Sequence, residues 1–75
     1  MYALRLRSAN HVRFYSIRQT DSSGWEVRLE EDRTVTRLHH YWDWHRVERA
    51  LAAFKLEVVE LIEHGWQVAP TEIRQ

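Results

Sequence analysis

The chain contains no cysteine, only two glycines and a single proline among its 75 residues. Without cysteine there are no disulfides and no thiolate metal ligands, which excludes a small secreted disulfide scaffold. Two glycines are too few for a glycine-rich phosphate-binding loop.

No apolar run approaches the roughly 20 residues that a membrane-spanning helix needs. The first residues alternate between apolar and charged side chains, so they do not resemble a secretory leader. We therefore expect a cytoplasmic protein that does not interact with membranes.

Charge is balanced in sum but not along the chain. The sequence has 11 basic and 11 acidic residues, and so a formal net charge of zero. A neutral chain argues against a strongly electrostatic partner such as duplex DNA. Residues 1–20 nevertheless contain four arginines and no acidic residue, whereas residues 21–75 contain seven basic and eleven acidic ones. The N-terminal segment is therefore the candidate basic surface.

Size limits the chain to one domain with one core. A chain of 75 residues buries only about 60% of the surface that its unfolded form exposes, so large apolar side chains must supply the stability. Four Trp, three Tyr and two Phe provide that area.

The first half of the chain is predicted to form a sheet. Residues 2–7 and 25–29 alternate between apolar and polar side chains, whereas residues 12–18 and 34–41 contain aromatic and β-branched residues. Turn-forming residues follow the first and second segments, with Gly24 at the clearest turn. The predicted strands are residues 2–7, 12–18, 25–29 and 34–41.

After the last predicted strand, apolar residues recur every 3.6 residues instead of every two. This spacing predicts a long amphipathic helix from Trp44 to His64. Asp43 is the predicted N-cap and Gly65 the left-handed residue after the helix. The predicted inner stripe is Val47, Ala50, Leu51, Phe54, Val58, Leu61 and Ile62. The predicted solvated face is Arg46, Glu48, Arg49, Lys55, Glu57, Glu60 and Glu63.

The predicted fold class is α+β, a four-stranded antiparallel β-meander followed by one long amphipathic C-terminal helix packed on the sheet. Trp66 and Val68 are expected to fold back on the core or to begin a last short strand. We expect one domain over residues 1–68 and a flexible tail over residues 69–75.

Three fragments resemble the WGR domain, a small sheet-plus-helix module. They are Asn-His-Val-Arg-Phe-Tyr at residues 10–15, Gly-Trp-Glu-Val at 24–27 and Glu-His-Gly-Trp at 63–66. Their order and spacing match over residues 10–67. At the position of the family's Trp-Gly-Arg signature this chain has Glu31-Asp32-Arg33, which keeps only the arginine.

WGR domains occur in poly(ADP-ribose) polymerases, where they contact DNA and relay that contact to a catalytic domain, and in small stand-alone bacterial proteins. The resemblance therefore implies a non-catalytic binding module. Loss of the signature Trp and Gly makes DNA contact of the family's kind an open question.

The densest polar cluster is the segment His-His-Tyr-Trp-Asp-Trp-His at residues 39–45. Imidazole and carboxylate groups bind Zn²⁺, and His45 and Asp43 could meet one of the other histidines. A regular strand, however, directs His39 and His40 to opposite faces. We expect a packed aromatic corner with partly solvated histidines, and neither a metal nor another cofactor.

Catalytic patterns are also missing. The serines lie in no recognised nucleophile context, and the helix carboxylates are patterned as surface charges. We expect that the chain is not an enzyme.

Two surfaces remain as candidates for binding. If Leu6 pairs with Phe14, Arg7 lies opposite Arg13 and Arg5 lies opposite Tyr15 on the outer face, a pattern suited to bases and phosphates. The alternative is that these arginines are solvated or pair with neighbouring glutamates. The candidate nucleic-acid-binding residues are Arg5, Arg7, Arg13, Tyr15 and Arg33.

The second surface is the aromatic group Tyr41, Trp42 and Trp44. Trp and Tyr are typical interface anchors when exposed, and the alternative for each is burial in the core. We expect a protein partner or self-association through the sheet and this aromatic surface, with nucleic-acid binding as the alternative.

Overall fold

The computed structural model describes residues 2–21 and 23–70. The four predicted strands and the predicted helix are present, and a fifth strand follows the helix. The fourth strand has its predicted bounds, and the first three each extend one or two residues further. The elements are β1 (Tyr2–Ser8), β2 (His11–Gln19), β3 (Trp25–Glu31), β4 (Thr34–Tyr41), α1 (Trp44–Glu63) and β5 (Gln67–Ala69).

The strands form one antiparallel sheet in the order β4-β3-β2-β1-β5. The prediction of four strands is therefore one strand short. After α1 the chain returns to the free edge of β1, where Val68 pairs with Leu6 and Ala69 with Arg5. Ala69, predicted to begin a flexible tail, is buried in the sheet. Residues 71–75 of the predicted tail lie outside the described residues.

Both ends of α1 are formed as predicted. The Asp43 carboxylate accepts a 3.0 Å hydrogen bond from the Arg46 backbone amide, which satisfies one of the free donors of the first turn. At the other end Gly65 has φ +100°, its amide bonds to Ile62 O, and the Trp66 amide bonds to Leu61 O. These two bonds form a Schellman motif, which turns the chain back towards the sheet. Over residues 2–21 and 23–70, no helix has the length and apolar character needed to cross a membrane.

The core lies between α1 and one face of the sheet. It is formed by alternate residues of β1, β2 and β3 and by one stripe of the helix. Ile62, predicted to belong to that stripe, is exposed. The buried core residues are Leu6, Tyr15, Ile17, Val27, Leu29, Val47, Phe54 and Val58.

The second face of the sheet has no helix on it in the described part of the chain. We call it the open face. It carries the alternate residues of each strand, among them Arg5, Phe14, Glu30, Leu38 and His40. Within residues 2–21 and 23–70, α1 therefore covers one side of the sheet, and the open face and the edge strands are available to a partner.

The two-residue turn between β3 and β4 has an unusual backbone. Asp32 and Arg33 both have positive φ, +51° and +69°, between the paired residues Glu31 and Thr34. Two positive φ angles give the twist that a tight antiparallel hairpin needs, but an arginine adopts this region less readily than glycine does. The turn therefore carries backbone strain at Arg33.

Candidate functional site

The structure divides the predicted nucleic-acid-binding residues between the two faces of the sheet. Tyr15 is fully buried beneath α1, and its hydroxyl donates a 2.9 Å hydrogen bond to Glu57 Oε1. Arg13 lies on the same face, where it forms an ion pair with Glu31 at 3.3 Å and contacts the Trp66 ring. The prediction that Arg13 and Tyr15 belong to an outer binding surface is therefore wrong.

The reason is a one-residue difference in the register of β1 and β2. Leu6 pairs with Arg13 and not with Phe14, and Arg7 pairs with Val12. A shift of one residue moves every side chain of a strand to the opposite face, because side chains alternate. The predicted opposition of Arg7 and Arg13 does not occur, and the predicted pairing of Arg5 with Tyr15 is replaced by Arg5 with Phe14.

A half-buried polar cluster lies between the sheet and the helix. Its centre is Glu57, whose two carboxylate oxygens accept hydrogen bonds of 2.8 and 2.7 Å from the Arg37 guanidinium. The Tyr15 hydroxyl donates to the same carboxylate, and Arg13 lies 3.8 Å from it. The prediction that Glu57 belongs to the solvated face of α1 is therefore wrong. The spacing could have indicated this, since Glu57 follows Phe54 by three residues and so lies on the inner side of the helix.

The hydrogen bonds in this cluster shift the pKa values of its members. Donation by Arg37, and then by Tyr15, lowers the pKa of Glu57 despite its partial burial. The bond to Glu57 raises the pKa of Arg37, and burial raises the pKa of the Tyr15 hydroxyl. The carboxylate is therefore ionised at neutral pH and engaged by protein donors, so it serves to fasten α1 to the sheet.

Three of the predicted arginines remain on the outside, at or near one end of the sheet. Among the described residues no carboxylate lies within ion-pair distance of Arg5, Arg7 or Arg33. Arg5 lies 5.4 Å from the centre of the Phe14 ring. A shallow depression of about 490 Å³ opens here on the open face. It is lined by Arg5, Asn10, Val12, Phe14, Glu30, Asp32 and Arg33.

The acidic members reduce the positive potential of this depression. Asp32 accepts hydrogen bonds from the Val12 amide and, at 3.0 Å, from the His11 ring, and these bonds lower the pKa of its carboxyl group. Glu30 lies on the open face opposite Phe14. The end of the sheet is therefore of mixed charge and not a basic patch.

The predicted aromatic surface is likewise divided. Tyr41 is half-buried on the helix side and stacks on His39 with the ring centres 5.9 Å apart. Trp44, the first residue of α1, packs against Trp25 at 4.7 Å and is still partly exposed. Trp42 lies on the open-face side, with its ring edge-on to His40, and exposes 68% of its surface. Only Trp42 of the three is mainly at the surface.

Trp42 continues a row of exposed side chains along the open face of β4. Val35 exposes 44% and Leu38 53% of their surfaces, and His40 is exposed beside them. We call Val35, Leu38, His40 and Trp42 the β4 stripe. The sequence analysis did not identify the stripe, although Leu38, His40 and Trp42 lie at every second position and so belong to one face of a strand.

The β4 stripe lies at an edge of the sheet. In the described residues β4 pairs only with β3, so the backbone groups along its other side have no strand partner. Thr36 is the extra residue of a β-bulge between Leu29 and Glu30 of the paired strand, and its hydroxyl donates to Glu31 Oε2 at 2.8 Å. The bulge interrupts the regular ladder, and residues 37–41 remain a regular edge.

The histidines near this corner are dispersed. His40 bonds to the Thr20 hydroxyl at 3.2 Å, whereas His45 extends into solvent at the start of α1. In the described part of the chain no three His, Asp or Glu side chains come together in a way that could hold a metal ion.

Comparison with known proteins finds no matching family model, no matching curated protein and no matching solved structure. The resemblance to the WGR domain therefore stays a prediction that rests on the three fragments.

Proposed function

We propose that the chain is a non-catalytic module that binds an extended segment of a protein partner along the β4 stripe. The observation that carries this proposal is the exposed row Val35, Leu38, His40 and Trp42 on an edge strand. Contiguous exposed apolar side chains are characteristic of interaction sites, and tryptophan is among the most frequent anchors of such sites.

The position of the stripe favours addition of a strand. An extended peptide can bond to the free backbone edge of β4 while its alternate side chains contact Leu38 and Trp42. β4 contains Arg37, His39 and His40 and no acidic residue. The partner segment is therefore expected to alternate apolar and acidic residues, because opposite charges on paired strands stabilise the pairing.

The polar cluster supports the non-catalytic part of the proposal. Glu57 is the carboxylate placed between helix and sheet, and Arg37 and Tyr15 already occupy its oxygens. A general acid or base must exchange a proton with a substrate, and both oxygens of this carboxylate are occupied by donors from within the domain.

Selection from a displayed library of random peptides, each about ten residues long, tests the proposal, since that length can form a strand. Selected peptides are then titrated against wild-type protein, Leu38→Asp, Trp42→Ala and the control Lys55→Ala, which alters an exposed residue of α1. We expect peptides rich in alternating apolar and acidic residues, with affinity about tenfold or more weaker for Leu38→Asp and Trp42→Ala. Peptides that bind all four proteins equally would contradict the proposal.

A second candidate function is binding of single-stranded nucleic acid at the depression. The observation that favours it is the Arg5–Phe14 pair, with Arg33 on the same rim, since arginine and aromatic side chains together contact phosphates and stack on bases. The acidic residues Glu30 and Asp32 in the same lining weaken this candidate.

A further inference from the structure

The outer face of α1 carries apolar side chains that the domain does not bury. Leu56 exposes 64% and Val59 52% of their surfaces. The core of this domain uses the opposite side of the helix, where Phe54 and Val58 are buried. A helix with a second apolar surface is suited to packing on two sides.

The outer residues follow the spacing of a helix–helix contact. Arg49, Ala52, Leu56, Val59 and Glu63 succeed one another at intervals of three, four, three and four residues. This spacing places them in one line along the helix, as in the contact line of a coiled coil. We call these five residues the helix seam. All five are exposed, and the three in the middle are apolar.

The charges of the seam differ at its two ends. Arg49 lies towards the N-terminus of α1, whereas Glu63, with the neighbouring Glu60, lies towards the C-terminus. Within the described residues none of these three side chains forms an ion pair, whereas Arg13, Arg18 and Arg37 on the sheet each pair with a glutamate. The seam therefore has a basic end and an acidic end, and neither is paired with an opposite charge within the described residues.

We propose that the helix seam pairs with the same seam of a second copy of this chain, with the two helices antiparallel. Antiparallel pairing about the middle of the seam brings Arg49 of each helix to Glu63 and Glu60 of the other. Parallel pairing would place Arg49 beside Arg49 and Glu63 beside Glu63, which like charges oppose. The apolar middle, Ala52, Leu56 and Val59, packs against itself.

Twofold symmetry makes the arrangement self-complementary. Each surface in a twofold dimer contacts its own copy, so one Arg49–Glu63 contact occurs twice. The contact of one helix pair is smaller than the interface of a permanent dimer, and we expect a dissociation constant in the micromolar range. The seam lies on the side of α1 away from the sheet, so the dimer leaves the β4 stripe free. Dimerisation is therefore independent of the proposed function.

Sedimentation equilibrium of the full chain over a range of concentrations tests the proposal. We expect a monomer–dimer equilibrium for wild type and a monomer for Leu56→Glu. The single substitutions Arg49→Glu and Glu63→Arg should each raise the dissociation constant of the dimer about tenfold or more. Each substitution brings like charges together, and twofold symmetry repeats that contact at both ends of the interface. The matched control Arg7→Glu reverses a charge on the sheet and should leave the equilibrium unchanged. These positions are exposed, and a thermal melt verifies that each variant folds.

Mixing the two charge variants gives the decisive measurement. An Arg49→Glu chain has acidic residues at both ends of the seam, and a Glu63→Arg chain has a basic residue at both ends beside the unchanged Glu60, so an equimolar mixture should form a heterodimer tighter than either homodimer. The double variant Arg49→Glu/Glu63→Arg should again form a homodimer. A wild type that stays monomeric at the highest soluble concentration would overturn the proposal. A dimer that tolerates Leu56→Glu, or a mixture that remains monomeric, would overturn it as well.

Discussion

The hydroxyl of Tyr15 donates a 2.9 Å hydrogen bond to Oε1 of Glu57, a residue 42 positions further along the chain. The bond joins β2, the middle strand of the sheet, to the C-terminal half of α1. Arg37 bonds to the same carboxylate from β4 with two parallel hydrogen bonds. A bidentate arginine–carboxylate pair fixes geometry as well as adding stability, so the cluster sets the position of α1 along the sheet.

Glu57 should make stability depend on pH on the acid side. The pKa of Glu57 is lowered in the folded chain from its usual value of 4.5, so the unfolded chain takes up a proton first as pH falls. The stabilisation is complete above the unfolded pKa and is lost as pH falls through the folded pKa. Urea unfolding of wild type and Glu57→Gln between pH 7 and about pH 3 measures this loss.

We expect Glu57→Gln to lower the free energy of unfolding by about 1–2 kcal/mol at pH 7, since it removes charged hydrogen bonds to a half-exposed group. The difference between the variant and wild type should shrink on the acid side. Asp21→Asn is the control, because that side chain is exposed and has no ion pair within the described residues. An equal pH dependence in the Glu57 and Asp21 variants would contradict the role of the cluster.

Phe54 should be a principal contributor to the core. It is buried, and its ring meets the Tyr15 ring edge-on with the centres 4.7 Å apart. Phe54→Ala is expected to reduce the free energy of unfolding by about 3–5 kcal/mol, which is a large part of the stability of a small domain. Lys55→Ala, at the exposed next position of the same helix, should cost under about 1 kcal/mol. Similar thermal melts for the two variants would show that the helix faces are assigned wrongly.

Replacing Arg33 by glycine should stabilise the chain. Arg33 has φ +69° in the turn between β3 and β4, and glycine adopts this conformation without steric cost. Arg33→Gly also creates the Asp-Gly pair that tight hairpins favour, and we expect a gain of about 0.5–1 kcal/mol. Arg33→Ala is the control, because it removes the side chain and keeps the strain. A gain of equal size in both variants would indicate that the charge, and not the backbone, is responsible.

Oligonucleotide binding should be weak and should depend on the outer arginines alone. In a fluorescence anisotropy titration with short single-stranded oligonucleotides, we expect no binding tighter than about 10 µM near physiological salt for a neutral chain. Weaker binding at low salt should decrease further in Arg5→Glu and Arg33→Glu and should not change in Tyr15→Phe, whose ring is buried. Sub-micromolar binding that is lost in Arg7→Glu would make nucleic-acid binding the leading function.

Much of the fold could be predicted because its signals are local. The β-branched run that begins at Thr34 predicted β4 with its bounds, and the spacing from Val47 to Val58 gave the inner stripe of α1. Asp43 and Gly65 act at the helix ends through contacts within a few residues. β5 was predicted only as one of two alternatives, since three residues carry too little periodicity to identify a strand.

The candidate sites were harder to predict, because each depends on how distant elements meet. The alternation within β1 and β2 is clear from residues 2–18, but it does not state which residue of one strand faces which residue of the other. The actual pair Leu6–Arg13 directs Arg13 and Tyr15 beneath the helix and Arg5 to the open face. The β4 stripe is exposed because β4 is at an edge, which depends on the order of the strands.

The sequence by itself determined the element types, the helix caps and the reliance of a small core on aromatic residues. These properties arise from backbone propensity, periodicity and hydrogen bonds between near neighbours. Only the tertiary structure decided that Glu57 accepts hydrogen bonds from Arg37 and Tyr15. It also decided that Trp42 is exposed, whereas Tyr41 and Arg13 are half-buried. The physical reason is that strand register and helix rotation are set by packing across the whole domain, and a shift of one residue reverses the face of every side chain.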